Sequence, residues 1–115
     1  MLINDNDILR HAAVPVRVAC LDRAAVLTSG DRNREYGEPV ENHQRIADIF
    51  AAMTGHQMTP REVALFHVAT KLARLTRSAC HQDSYVDAMA YLAIAYECEV
   101  TPQRAHEAQE AADDQ

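Results

Sequence analysis

An all-α fold, a compact four- to five-helix bundle, is what this sequence predicts, and three observations carry the reading. Apolar residues recur at three- and four-residue spacing instead of alternating. Ala and Leu abound while aromatic residues make up 5% of the chain and glycine occurs 3 times, a balance that favours helices over sheets. Pro and Gly stand where helices start and stop. At 115 residues there is room for one domain and no second. The expected division is an arm over 1–17, a helical domain over 18–109 and a frayed tail over 110–115.

Each element follows from local signals. In the arm, Asp5, Asn6, Asp7 and Pro15 break any helical pattern. A first helix is expected from Val18 to Ser29, where Val18, Leu21, Ala24 and Ala25 share a face and Gly30 is a fitting residue just past its end. A polar loop through Tyr36-Gly37 leads to Pro39 at the first position of a second helix, which runs to Thr54 with Gly55 closing it. Asn42, His43, Ile46, Ile49, Phe50 and Met53 share its inward stripe. Thr59-Pro-Arg-Glu62 is a capping box with Pro at the first helical position, so a third helix starts there and runs to about Arg77. Its core stripe is Ala64, Leu65, Val68, Leu72 and Leu75, bordered by a basic strip of His67, Lys71 and Arg74. A fourth helix covers about 83–98 and is apolar nearly all round, which suits the centre of a bundle. Thr101-Pro102 then reads as the start of a short last helix.

Composition narrows the function classes. A net charge of −6 with Lys71 as the single lysine opposes generic nucleic-acid binding, because phosphate backbones reward clustered cations. No apolar run approaches the length that spans a bilayer, and no secretory leader is visible. Three cysteines without metal or disulfide spacing fit a reducing, cytoplasmic setting and serve as core filler.

The residues that could carry chemistry are few. Asp87 sits on the apolar fourth helix, and a carboxylate there needs either a cationic partner such as Lys71 or Arg74, or a metal. The metal reading makes Asp87 a Mg²⁺ ligand beside Asp83, Glu38 and Glu35, and the three-residue run Glu35, Glu38, Glu41 would gather carboxylates on one flank of a helix, although Gly37 and Pro39 interrupt it. Its bland counterparts are an ion pair for Asp87, a helix cap for Asp83 and a dipole-matched helix start for the glutamates. Asn42 and His43 face inward, where an amide can read a base edge and an imidazole can meet a phosphate or proton; a satisfied buried polar pair is the alternative. His67, Lys71, Arg74 and Arg77 offer donors to phosphate oxygens. Tyr36 in the loop and Tyr91 on the central helix can stack on a base.

Taken together, Gly30-Asp-Arg-x-x-x-Tyr-Gly-Glu-Pro39, Glu41-Asn42-x-x-x-Ile-Ala47, Thr59-Pro-x-x-Val-Ala64, Lys71-x-Ala-Arg-Leu75 and Asp83-Ser-x-Val-Asp87-x-x-x-Tyr91 form a pattern over residues 18–97. It resembles a phage-encoded helical domain family of uncharacterised function, which looks like a distant relative of the all-α, MazG-like nucleoside triphosphate pyrophosphohydrolases. That resemblance implies a Glu-x-x-Glu cluster on one helix and a Glu-x-x-Asp pair on another, binding Mg²⁺ and setting a water against a nucleotide's phosphates. Asp87 matches the final Asp, and Glu38 and Glu41 have the spacing of the first pair. Ser84 stands where the family pattern has Glu, Pro39 falls between the two glutamates, and Asn42 replaces a further acid, departures that touch hydrolysis more than binding. The expectation is a homo-oligomer that binds a nucleotide between its second, third and fourth helices. Glu38 and Asp87 would be catalytic in a Mg²⁺-dependent enzyme, while Tyr36, Asn42, His43, Lys71, Arg74 and Tyr91 would hold the nucleotide. The alternative is a non-catalytic phage accessory protein that sequesters a signalling nucleotide or binds a host protein.

Overall fold

The computed structural model describes residues 14–30, 35 and 37–113, with backbone alone for 102–110. Among them the chain is all-helical, a bundle built from α1 (Val16–Leu27), α2 (Pro39–Thr54), α3 (Pro60–Leu75) and α4 (Gln82–Asp113). The expected arm lies mostly outside these residues. No helix among those described is long and apolar enough to cross a membrane.

The helix boundaries follow from capping chemistry. α2 begins with Pro39 at its first position and ends at Gly55, whose φ of 77° is the left-handed conformation that glycine adopts without penalty. The Gly55 N–H donates to the Ala51 carbonyl at 2.8 Å, using one of the orphan acceptors of the last turn. α3 opens on the expected capping box, with the Glu62 N–H donating to Thr59 Oγ1 and the Thr59 N–H donating to Glu62 Oε1, both at 3.0 Å. α1 and α3 each stop two residues earlier than expected. Their last turns tighten to three-residue hydrogen bonds, as in Thr28 N–H to Ala25 O and Thr76 N–H to Ala73 O.

α4 departs most from expectation. No separate last helix begins at Thr101-Pro102, since the helix continues unbroken from Gln82 to Asp113. Proline inside a helix lacks the N–H that would bond the carbonyl four residues back, which is why Pro102 reads as a helix start, yet the helix runs through it. Thr101 is not a cap here: its hydroxyl donates back to the Glu97 carbonyl at 2.6 Å, as a threonine inside a helix does. At the other end, Asp83 is not the cap either. His81 stands just before the helix, and its Nδ1 accepts from the Ser84 hydroxyl at 2.8 Å and from the Ser84 N–H at 3.3 Å.

Packing is close because the contact surfaces are small. The buried apolar residues are Ala24, Ala47, Val63, Ala64, Val86, Ala90, Ala95 and Cys98, five of the eight being alanine. α4 packs most extensively on α3 and then on α1, where Ala24 meets Val86 and Ala90, flanked by Cys20, Leu27 and Met89. On α3 the expected stripe turns inward except at Leu72, with Leu65, Val68 and Leu75 half-buried. Val63 and Ala64 are buried, His67 and Lys71 are half-buried, and Leu72 is exposed. On α2, His43 and Ala47 turn in while Ile49 and Met53 stay in solvent. The central helix is not buried all round, because Tyr85, Leu92 and Tyr96 are exposed on its far side. Cys80 is no core filler: it is exposed, in a left-handed loop conformation with φ 62°.

Candidate functional site

α3 and α4 run antiparallel, so side chains one turn apart on each meet in successive rungs. His67 stacks on Tyr91, with ring centroids 4.6 Å apart and planes 26° from parallel. One turn along, Lys71 Nζ lies 3.1 Å from Asp87 Oδ2, the two side chains 24% and 25% exposed. At the opposite end Arg61 reaches Glu99 at 3.7 Å. Asp87 therefore has the cationic partner that a carboxylate on this face requires. Its partial exposure keeps the pair in the modest range typical of screened ion pairs.

α2 completes the arrangement with a histidine. His43, 4% exposed on the first turns of α2, sets its ring edge-on to His67 and Tyr91, with centroids 5.6 and 6.1 Å away. Such edge-to-face contacts are favoured by ring quadrupoles. Its Nδ1 is 2.7 Å from the Pro39 carbonyl; a carbonyl only accepts, so Nδ1 carries the proton and Nε2 presents a lone pair. Nε2 is buried and has no hydrogen-bond partner. Burial pushes the His43 pKa below its ordinary value of 6.5, against the opposing pull of the Pro39 carbonyl. The ring is thus a neutral acceptor at pH 7.

These groups wall a cavity of about 240 Å³ lined by Asn42, His43, Ile46, His67, Asp87, Ala90, Tyr91 and Ile94, and closed by Leu27, Thr28, Gly37 and Pro39. Four of the expected residues, Asn42, His43, Asp87 and Tyr91, come together here, between α2, α3 and α4 as anticipated. Asn42 keeps its amide at the wall, with its oxygen accepting from Arg45 at 3.3 Å. Lys71 reaches the site through Asp87. Arg74 is exposed beyond it and does not line the cavity. Tyr36 lies outside the described residues. Two contributors escaped the sequence reading: His67, which was placed in a basic strip for phosphates, and the end of α1. The signal for His67 was its four-residue spacing to Lys71, which mirrors that of Asp87 to Tyr91.

The candidate metal ligands are not gathered. Glu38 borders a separate hollow of about 100 Å³ with Thr28, Pro39, Ala93, Ile94 and Glu97. Glu35, Glu41 and Asp83 are exposed. Among the described residues no three His, Cys, Asp or Glu side chains are grouped so as to hold a metal ion. Ser84 is buried and bonded to His81. The described residues therefore do not fit a resident Mg²⁺ cluster, whose hard oxygen ligands must converge.

Residues 19–99 match the family described as "Domain of unknown function (DUF6378)". Every candidate residue named above falls inside that span. The chain is similar to the Gene 55 protein of Mycobacterium phage L5, 35% identical over 78 residues that cover 67% of this chain and 50% of that protein. It is likewise similar to the Gene 55 protein of Mycobacterium phage D29, 34% identical over 71 residues, 62% of this chain and 47% of that protein. It thus spans about half the length of the curated relatives it matches. No solved structure matches it.

Proposed function

The chain belongs to the DUF6378 family, and from its cavity we propose that it is a nucleotide-binding protein that takes the base inside and leaves the phosphates outside. The observation that carries this reading is the unpartnered, buried Nε2 of His43 in the wall of a cavity that also presents Asp87 and Asn42. Buried polar atoms are nearly always hydrogen-bonded, so an orphan acceptor beside a cavity is explained by a ligand that donates to it. His43 Nε2 and the Asp87 carboxylate are both acceptors. They favour N–H groups, such as those on the edge of a nucleobase, and disfavour phosphate oxygens.

Size supports the same division. About 240 Å³ is below the range of roughly 300–1,000 Å³ usual for drug-sized ligands, suited to a base or nucleoside and too small for a whole triphosphate. The phosphates lie outward along α3, where Arg74 is exposed past Lys71. An arginine fork is the stronger anion clamp of the two.

The resemblance to MazG-like enzymes adds a finer version, in which Glu38 and Asp87 serve a Mg²⁺-dependent cleavage of the α–β phosphoanhydride. In its favour, Glu38 and Asp87 border neighbouring hollows that share Thr28, Pro39 and Ile94. Against it stand the scattered carboxylates and the engagement of Asp87 with Lys71. Binding without hydrolysis is therefore the reading we adopt, and Mg²⁺ enters it only as the companion of the ligand's phosphates. A family with phage relatives accommodates such a protein in the cytoplasm of an infected host.

A thermal-shift series tests this, using nucleosides, nucleoside mono-, di- and triphosphates and cyclic nucleotides, each with and without Mg²⁺. A ligand at a hundred times its dissociation constant adds about 2.7 kcal/mol of stability, several degrees for a domain of this size. The expected result is a shift for a nucleoside or nucleotide of one base without added metal. A shift only with triphosphate plus Mg²⁺, accompanied by pyrophosphate release, supports the hydrolase instead. No shift with any of these removes the nucleotide reading.

A further inference from the structure

The cavity between α2, α3 and α4 offers hydrogen-bonding groups of fixed character. Nδ1 of His43 donates to the Pro39 carbonyl at 2.7 Å, so its buried Nε2, unpartnered among the described residues, accepts and cannot donate. Asp87, on α4, has Lys71 beside Oδ2 at 3.1 Å, and Oδ1 of this ion-paired carboxylate is a second acceptor. Asn42 supplies the opposite character. Its oxygen accepts from the Arg45 guanidinium at 3.3 Å, and a guanidinium only donates, so the amide nitrogen is the end left to donate to a ligand.

Given the base-binding cavity, on which this step rests, we propose that the ligand is a guanine nucleoside or nucleotide. Hydrogen-bonding edges decide between the bases. Guanine alone among the common bases sets two donors side by side, the N1 hydrogen and the 2-amino group, with the O6 acceptor next to them. In the cavity Asp87 accepts from the 2-amino group, His43 Nε2 accepts from N1–H and the Asn42 amide donates to O6. The wall that these residues line thereby answers the guanine edge group for group.

Every other base leaves one of these groups facing its like. Adenine places its N1 lone pair, and cytosine its N3 lone pair, beside a single amino group and so against an acceptor of the wall. Uracil and thymine have one N–H between two carbonyls, so a carbonyl oxygen meets the carboxylate or the imidazole lone pair. An acceptor facing another acceptor in a buried site loses water without gaining a bond, which makes a site built on hydrogen bonds strongly selective. Ile46, Ala90 and Ile94 supply apolar surface for the faces of the ring.

Isothermal titration of the full chain with the 5′-monophosphates of guanosine, inosine, adenosine, cytidine and uridine tests the assignment. The guanosine compound is expected to bind tightest. The inosine compound, which differs only in lacking the 2-amino group, is expected to bind more weakly by about tenfold or more. Asp87→Asn turns the acceptor for that amino group into an amide that can donate, and xanthosine 5′-monophosphate carries a carbonyl at the same place. The variant is expected to shift the ratio of xanthosine to guanosine binding by about tenfold or more toward xanthosine, a change of preference that loss of fold does not produce. Equal binding of the guanosine and inosine compounds by the wild type, tighter binding of another base, or an unchanged preference in Asp87→Asn overturns the guanine assignment and leaves the base-binding cavity standing. No binding of any of the five removes the base-binding cavity and the assignment with it.

Discussion

The two faces of α4 invert the usual arrangement of a surface helix. Its inner side carries Ser84, Asp87 and Tyr91 among small apolar residues, while its outer side presents Tyr85, Leu92 and Tyr96 to solvent. The inner polar groups are tolerable because each has a partner: His81, just before the helix, for Ser84, and across the contact with α3, Lys71 for Asp87 and His67 for Tyr91. The outer apolar groups are more than half exposed. Polarity inside a helix contact has to be paired, whereas apolar side chains outside need no partner to be tolerated in solvent.

If the inner side is a close-packed contact, enlarging it must cost far more than enlarging an open part of the same helix. Ala95→Leu, at a buried position, is expected to destabilise by about 1–3 kcal/mol through overpacking. The same change at Ala111, exposed near the helix end, stays within about 0.5 kcal/mol. Urea denaturation compares the two. Equal effects at both positions break the distinction between the faces.

The start of α3 sets how its rungs meet those of α4, so its capping box is the next largest lever. Thr59→Ala removes the side chain that accepts from the Glu62 N–H and is expected to cost about 1 kcal/mol. The Lys71–Asp87 rung is smaller. A double-mutant cycle with Lys71→Met and Asp87→Asn should give a coupling of about 0.5–1 kcal/mol that shrinks as salt is added. A coupling of zero removes the ion pair as the reason Asp87 is tolerated.

Acid sharpens the comparison by direction. The His43 pKa is lowered from 6.5 in the fold by burial, so the folded state binds fewer protons than the unfolded chain just below that value. This contribution is absent above pH 6.5 and grows into a destabilisation as pH falls from 6.5 through the lowered pKa. Thermal melts at stepped pH should show a steeper acid loss for the wild type than for His43→Gln. Parallel profiles contradict a neutral, buried imidazole.

Much of the fold was legible because its signals are local. Pro39 with Gly55, and Thr59-Pro60 with Glu62, mark helix ends by their own conformational preferences, and the structure follows them. Which way each helix faces was harder to read. Hydropathy assigned Leu72 to the core and Lys71 to its border. The structure turns Lys71 inward, where Asp87 neutralises it, and Leu72 outward. Ile49 and Met53 were misassigned for the same reason, since an apolar residue is free to stay in solvent but an inward charge needs its partner. Asn42, His43, Asp87 and Tyr91 were found from sequence as polar residues on inward stripes. His67 was set aside as a phosphate donor because its ring partner is distant in sequence. Proline at 102 misled because proline favours the first turn and is disfavoured inside a helix, whereas here the helix continues through it.

The central claim is that the cavity between α2, α3 and α4 holds a nucleobase against His43. Isothermal titration with nucleosides and their 5′-monophosphates, on wild type and on His43→Phe, tests it most directly. The account predicts that one base binds with the nucleoside retaining much of the nucleotide's affinity. It also predicts that His43→Phe, which keeps a ring but deletes the Nε2 acceptor, weakens that binding by about tenfold or more without loss of fold. Equal binding by both proteins, or binding that depends on the phosphates and ignores the base, contradicts it.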